Sequence, residues 1–189
     1  MFSLLGLGYL TLEIVLIQRM QIFVGMPVLA FATVLGAMLL SSGIGGYVSR
    51  AWPRGRIVAF MGALPVVALA AYFLSGALID VLIGLPQALR VAVTVALAAP
   101  LGFLLGLPFP HALAAAREVL GDRFGAALFG LNGAFSALGT PLALAAAMAY
   151  GFRTTYLAGC AIYILCIPLV ALLLFGRSPD APSDGPSLP

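Results

Sequence analysis

The residue with the clearest potential for chemistry is Glu13, a carboxylate in the middle of a long apolar segment near the N-terminus. A charged side chain at the centre of a bilayer costs about 2.5–3.5 kcal/mol on insertion scales. Glu13 therefore predicts that the first apolar segment is an interior helix of a bundle. Two interpretations of the carboxylate stay open. It is either a site for a proton, a cation or an amine, or a structural group that is hydrogen-bonded or protonated where it is buried.

Other polar side chains in the apolar segments extend this candidate site. Gln18 gives the first segment a polar flank, and Arg19 is six residues from Glu13, too far around one straight helix to pair with it. Arg19 is either an interfacial anchor that reaches the headgroups or an inward group that needs an anion. In a later segment, Asn132 and Ser136 share a helical face, where an amide bridges helices or contacts a substrate. The sequence thus predicts an intramembrane polar site of Glu13, Gln18, Arg19, Asn132 and Ser136.

Residue sets for catalysis or metal binding are missing from the sequence. His111 is the only histidine and has no nucleophile or ligand cluster around it. We interpret it as an interface or capping residue, with a proton relay as the alternative. Cys160 and Cys166 fall on different faces of one helix, so we expect two unpaired, small apolar residues. We expect no enzyme activity, no metal and no cofactor.

Composition places the chain in a lipid bilayer. Hydrophobic residues make up 63% of the 189 residues and charged residues only 8%, whereas soluble domains have about 25% charged residues. Mean hydropathy is +1.16. All nine basic residues are arginines, and they form no basic face, so the net charge of +3 does not indicate nucleic-acid binding. The first apolar segment lacks a basic start and a cleavage site, and we expect it to be retained.

Segment lengths predict an all-α integral membrane protein with six transmembrane helices. A bilayer core of about 30 Å requires roughly 20 apolar residues per helix. Residues 1–176 are then one transmembrane domain, and 177–189, rich in Pro, Ser, Asp and Gly, are a disordered cytoplasmic tail. The predicted spans are 3–24, 28–49, 57–79, 88–107, 125–149 and 154–175.

The arginines predict which side each link occupies. Arg50, Arg54 and Arg56 form a positive link after the second span, and further arginines follow the fourth and sixth spans. These three places share one side of a six-span protein. That side carries more arginine than the other, which predicts that it is cytoplasmic. Both termini then lie in the cytoplasm, and the protein is expected in a bacterial cytoplasmic (inner) membrane.

Proline marks the end of the fourth span as irregular. Pro108 and Pro110 cannot donate backbone hydrogen bonds, so the stretch GLPFPHA predicts a broken helix end, with His111 beside it as an interface or hinge residue. The segment HALAAAREVLGDRFG after the break predicts a short amphipathic helix at the cytoplasmic surface. Glycine pairs at four-residue spacing, such as Gly102 and Gly106, predict close helix packing.

Two strings of the chain resemble the membrane region of bacterial spermidine-synthase-like proteins, which are multi-spanning proteins fused to an aminopropyltransferase-like domain. The first string is GLGYLTLEIVLIQRMQIFVGMPVLAFATVLGAMLLSSGIGGYVS and the second is GLPFPHALAAAREVLGDRFGAALFGLNGAFSALGTPLALAAAMAYGFRTTYLAGCAIY. The matching residues in the first string are Gly6, Gly8, Glu13, Gln18, Arg19, Gly25, Pro27, Ser42, Gly43 and Gly45. In the second they are Pro108, Pro110, Asn132, Gly133, Ser136, Gly139, Gly151 and Tyr163.

This family is similar to half of a major facilitator transporter, and the stretch GGYVSRAWPRGR resembles the cytoplasmic link of those carriers. The acidic residue of that link is missing, and Ser49 stands near its place. The chain also has no stretch of soluble α/β sequence for the aminopropyltransferase-like domain. The resemblance therefore implies a six-helix bundle without polyamine synthesis.

Two functional hypotheses follow. The first is a non-catalytic membrane subunit or anchor that packs within a larger assembly of partner chains. The second is a half-transporter that forms a homodimer and moves an amine or another small cation, with Glu13 as the charge site. The first hypothesis predicts sensitivity to bulky substitutions at Gly133 or Gly139, and the second predicts loss of activity in Glu13→Gln.

Overall fold

The computed structural model describes residues 1–121 and 123–176, and within these ranges all regular structure is helical. A single 3-10 turn at Ser49–Ala51 lies between the second and third helices. The predicted tail falls outside the described residues. The α-helices are α1 (Phe2–Val24), α2 (Pro27–Val48), α3 (Arg54–Leu82), α4 (Gln87–Leu105), α5 (Pro108–Leu120), α6 (Arg123–Tyr150) and α7 (Phe152–Phe175).

Six helical segments of the described chain are long and apolar enough to cross a membrane, which confirms the predicted number of spans. Five of these crossings are α1, α2, α3, α6 and α7, and α4 together with α5 provides the sixth. The third crossing is longer than predicted, with 29 residues in α3. The extension beyond 57–79 adds nearly one turn at each end, where the sequence lacks the apolar runs on which the prediction depended.

Proline and glycine set most of the helix boundaries. Pro27 and Pro108 are the first residues of α2 and α5, a position where the missing N–H is not needed. Gly25 and Gly121 follow α1 and α5 with φ of 79° and 89°, a conformation that side chains disfavour. Both glycines therefore mark helix ends. Four further prolines lie inside helices: Pro65, Pro100, Pro141 and Pro168.

The fourth crossing is interrupted where the sequence predicts it. The N–H of Gly106 is bonded to the carbonyls of Gly102 and Phe103, and α4 has ended by that point. Pro108 then starts α5, and Pro110 cannot donate to the Gly106 carbonyl. α5 is amphipathic, as predicted, but it begins at the prolines rather than after them.

α1 is the interior helix of the bundle, which confirms the inference from Glu13. It has the largest buried share of the six crossings and packs against α2, α3, α4, α6 and α7. Its fully buried apolar side chains form the main core together with residues of α2, α3, α4 and α7. By contrast, α6 and α2 have the smallest buried shares.

The helix pairings repeat between the two halves of the bundle. α1 packs most extensively on α6, and α4 packs most extensively on α2. α1 also packs on α7, as α4 packs on α3, and α3 packs on α7. We count α4 and α5 together as the fourth crossing. If the first, second and third crossings are exchanged with the fourth, fifth and sixth, each of these pairings becomes another of them or stays the same. Since each half has three crossings, the two halves run in opposite directions through the membrane.

Small residues make the two main pairings close. A Cβ on Gly6 would lie 2.5 Å from the backbone oxygen of Asn132, and one on Gly139 would lie 3.2 Å from Cβ of Leu10. On the other side, Gly102 and Gly106 lie directly against the α2 backbone, as their spacing predicts. Gly133, in contrast, has nothing within 4 Å of its Cβ position. Contacts inside the bundle therefore do not support the expectation that bulky substitutions at position 133 are harmful.

A smaller apolar cluster closes one end of the bundle. It packs Ala112, Ala115 and Ala116 of α5 against side chains of α3 and α7, including Ile57 and Leu174. We call this end, which carries Met1, Arg50 and His111, the N-terminal end. The alanine stripe explains the amphipathic pattern of α5, since its other face carries the charged residues.

Candidate functional site: an intramembrane polar cleft

A polar cleft lies between α2 and α6 and is the most distinctive feature of the bundle. It consists of two adjoining cavities of about 500 Å³ each. α2 and α6 form its walls, α1 forms its floor, and the α4–α5 break closes one side. The residues that line both cavities are Tyr9, Leu39, Ser42, Leu105, Phe109 and Asn132.

The mouth of the cleft is at the N-terminal end of the bundle. There the lining includes Tyr47 and Arg50 of α2 and the following turn, with Pro110 of α5 opposite. His111 lies beside this mouth, and its Nε2 is 2.9 Å from the Ser49 hydroxyl. Ser49 is fully buried. His111 therefore joins α5 to the end of α2, which is an interface position.

The walls bring Asn132 and Ser136 together, as their spacing predicts. Both side chains are partly buried and lie against Gly6 of α1, where a Cβ would be 2.6 Å from the Ser136 hydroxyl oxygen. Ser42 faces them from α2, and its hydroxyl donates to the Leu39 carbonyl. The cleft is thus lined by an amide and two hydroxyl groups within an otherwise apolar wall.

Tyr9 supplies the phenol at the floor of the cleft. Its hydroxyl is buried and has no hydrogen-bond partner among the described residues. The Ser42 hydroxyl is a polar neighbour of the phenol, but the two groups do not meet hydrogen-bond geometry. Sequence reasoning missed Tyr9, although it is four residues before Glu13 and therefore shares its helical face.

Glu13 lies deeper than the cleft, beyond Tyr9. It is the only buried carboxylate of the described residues, with 2% of its surface exposed. Its Oε1 has no hydrogen-bond partner there. A buried carboxylate oxygen without a hydrogen-bond donor is costly and uncommon in proteins. Apolar packing therefore does not explain why a glutamate occupies this position.

Arg19 and Gln18 are not part of the cleft. Arg19 lies toward the opposite end of α1, where its guanidinium carbon is 4.0 Å from the centre of the Tyr72 ring. Tyr72 stacks on Tyr156 of α7, whose hydroxyl donates to the Ala68 carbonyl. Arg19 thus points into the bundle and contacts an aromatic ring, a partner that neither sequence interpretation included. Gln18 is partly buried and does not line the cavities described.

The three arginines of the positive link have separate positions. Arg50 lines the mouth of the cleft. Arg54 donates to the Leu174 carbonyl at the end of α7 and forms an exposed ion pair with Glu118 of α5. Arg56 stacks loosely over Trp52. Of the three, Arg54 alone is seen to join its helix to others, namely α7 and α5.

The described residues contain no cluster of three or more His, Cys, Asp or Glu side chains that could hold a metal ion. Cys160 and Cys166 are buried free thiols, as their spacing predicts. Comparisons with known protein families, curated proteins and solved structures find no match to this chain. The cleft and the buried carboxyl group of Glu13 are the features of the described chain that bear on its function.

Proposed function

We propose that this chain is a polytopic membrane subunit or anchor that works within a larger membrane assembly, with partner helices packed over the face between α2 and α6. The observation that carries this proposal is the position of the polar cleft. It opens between the two crossings that are least buried in the bundle. The chain contributes packing surfaces and a polar groove, without catalysis of its own.

Lipid tails are a poor cover for this cleft. Asn132 is nine residues into α6, about 14 Å from Arg123 along the helix axis, which places it within the hydrocarbon region. Polar groups at that depth are costly unless they face protein or water. A helix from another subunit that offers donors and acceptors to Asn132 and Ser136 removes this cost.

The rim of the cleft offers space for such a helix. Gly36 and Gly43 on α2 and Gly133 on α6 have nothing within 4 Å of their Cβ positions. Small residues on an exposed face allow the backbone of another helix to come close. The bundle itself does not need glycine at these three positions, which distinguishes them from Gly6 and Gly102.

The test compares two glycine-to-leucine variants in the native membrane. Gly133→Leu should abolish recovery of a stoichiometric partner in a mild-detergent pull-down, because leucine fills the space for the partner helix. Gly62→Leu is the matched control, since Gly62 of α3 is equally open and lies away from the cleft. Equal recovery from both variants, or no partner with the unaltered chain, would contradict the proposal.

A half-transporter is the second candidate function, and the repeated helix pairings favour it. Repeats of opposite direction are common in secondary transporters, whose substrate sites lie between the repeats near interrupted helices. Here the cleft lies between α2 and α6, the second crossing of each half, and beside the α4–α5 break. The substrate would be an amine or another small cation, and a second copy would complete the carrier.

Transport by the purified chain in proteoliposomes tests this second candidate. The unaltered chain should accumulate a labelled amine or small cation, and Glu13→Gln should remove this uptake while the variant still inserts and folds. Unchanged uptake in Glu13→Gln would exclude the carrier mechanism. Both candidates place the chain in a bacterial cytoplasmic membrane with its N-terminal end inside, as the arginine bias favours.

A further inference from the structure

Glu13 belongs to the sector of α1 that faces the cleft. At about 100° per residue, Glu13 is about 40° from Tyr9 and about 20° from Gly6 around the helix axis. Both of those residues line the cleft. Glu13 is also about 6 Å beyond Tyr9 along the axis. Glu13 therefore lies on the same side of α1 as the residues of the cleft floor, one turn further along the helix.

Tyr9 lines the cleft and is one helical turn before Glu13. Its hydroxyl has no hydrogen-bond partner, and Oε1 of Glu13 has none either. The phenol and the carboxyl group are close enough to interact electrostatically. A phenol hydroxyl both donates and accepts hydrogen bonds, so Tyr9 has the chemistry to pass a proton between the cleft and Glu13.

Glu13 has no charged partner that would hold it permanently ionised. Its side chain is almost fully buried, and no described cation forms an ion pair with it. The described helices that pack against α1 carry these other titratable side chains: Tyr47 of α2; Arg54, Arg56, Tyr72 and Asp80 of α3; Arg90 of α4; His111, Arg117 and Glu118 of α5; Arg123 and Tyr150 of α6; and Arg153, Tyr156, Cys160, Tyr163 and Cys166 of α7.

Beyond Glu13, the residues on the same side of α1 are buried and apolar. The next residues on that side are Leu16, Met20 and Phe23, each at most 1% exposed. They pack into the main core with Val34 and Met38 of α2 and with apolar side chains of α4. Water therefore has room on the Tyr9 side of Glu13, where each cavity of about 500 Å³ is far larger than one water molecule. On the other side, the described side chains are buried and apolar.

We propose that Glu13 exchanges a proton with one side of the membrane only, through the cleft that opens at the N-terminal end, with Tyr9 as the last relay group. On loading, a hydronium ion in the cleft gives a proton to the Tyr9 oxygen and becomes water, while the Tyr9 hydroxyl gives its own proton through a bridging water to the Glu13 carboxylate, since the two side chains are not hydrogen-bonded to each other. The reverse transfer restores the carboxylate and returns the proton to water. Besides opening along the α2–α6 face, the cleft reaches the N-terminal end of the bundle at Tyr47 and Arg50, so the proposal holds whichever partner covers that face.

Carbodiimide labelling in sealed vesicles tests the sidedness. Dicyclohexylcarbodiimide modifies protonated carboxyl groups in apolar surroundings, and Glu13 is the only carboxylate between Met1 and Arg19, so its tryptic peptide reports it alone. The pH is varied on one side while the other side is held constant. Labelling of Glu13 should follow the pH of the compartment that faces the cleft, and Glu13→Gln should show no adduct.

Cysteine variants define which compartment that is and block the route. In a Cys160→Ala, Cys166→Ala background, Gly55→Cys at the N-terminal end reports orientation to a membrane-impermeant thiol reagent. Gly43→Cys places the same reagent in the cleft, and both positions have open space around Cβ. Reagent at position 43 should greatly slow the response of Glu13 to a pH change, and reagent at position 55 should leave it unaltered.

Tyr9→Phe tests the relay separately, by infrared detection of the protonated carboxyl group after a pH jump. The rate at which Glu13 gains or loses its proton should fall about tenfold or more, because the Tyr9 hydroxyl, the positioned acid–base group, is lost. The phenol makes no hydrogen bond, so the variant should fold normally. An unchanged rate removes Tyr9 from the route. The proposal as a whole fails if Glu13 follows the opposite compartment, follows neither, or is never labelled.

Discussion

Gly6 and Gly133 illustrate how residues of one type differ in role within this bundle. Gly6 lies against the backbone of α6, so the α1–α6 crossing depends on the missing side chain. Gly133 is on α6 itself, but it faces away from the bundle. The sequence indicates that small residues matter here, but it does not distinguish these two positions. Only the rotation of each helix distinguishes an internal contact from an open surface.

Gly6→Ala should destabilise the bundle, whereas Gly133→Ala should not. The added methyl group at position 6 would overlap the Asn132 carbonyl, and overpacking of this kind costs about 1–3 kcal/mol. Thermal unfolding of the two variants in the same detergent measures the difference. A similar loss of stability in both would mean that Gly133 packs against something inside the folded chain.

At the scale of elements, polar contacts at helix ends fasten α3, α5 and α7 together. Arg54 at the start of α3 donates from Nη1 to the Leu174 carbonyl over 2.8 Å. The last carbonyls of a helix lack partners within the helix and carry partial negative charge, so a guanidinium group is a favourable cap. The ion pair between Arg54 and Glu118 is about half exposed on both side chains, so it adds little.

Arg54→Gln should lower the free energy of unfolding by about 0.5–2 kcal/mol, because the end of α7 loses a charged cap. Arg56→Gln is the matched control, since Arg56 is exposed and makes only a long contact with the Trp52 ring. Denaturant titration of both variants provides the comparison. If Arg56→Gln costs as much as Arg54→Gln, the effect belongs to the total charge of the link and not to the cap.

At the scale of the whole molecule, the six crossings and their pairings determine which groups share a side of the membrane. The N-terminal end, the mouth of the cleft and the positive link lie together, and the α3–α4 connection lies at the other end. The two-fold pattern of the pairings places the cleft where the two halves meet. The location of the polar site therefore depends on how all six crossings pack.

Impermeant thiol labelling should place Gly55→Cys and Gly84→Cys on opposite sides of the membrane. The two positions are separated by α3 alone, and both have nothing within 4 Å of their Cβ positions, so a cysteine fits at either. In intact bacterial cells with a permeabilised outer membrane, the arginine bias predicts that only position 84 reacts. Labelling of both positions from one side would show that α3 does not cross the membrane.

The sequence by itself determined the class of this protein, because hydropathy and segment length respond to the bilayer and not to tertiary packing. It also identified α1 as interior from the energetic cost of one carboxylate, and it placed the α4–α5 break from the missing donors of Pro108 and Pro110. These inferences depend on local chemistry alone.

Only the tertiary structure decided which polar residues form a site. Asn132 and Ser136 line the cleft with Tyr9 and Ser42, whereas Arg19 faces Tyr72 on the far side. The rotation of each helix about its axis determines these groupings, and in a chain this apolar the hydrophobic pattern hardly distinguishes one face from another. Packing of glycines against neighbouring backbones fixes that rotation, since such contacts depend on the close approach of two particular helices.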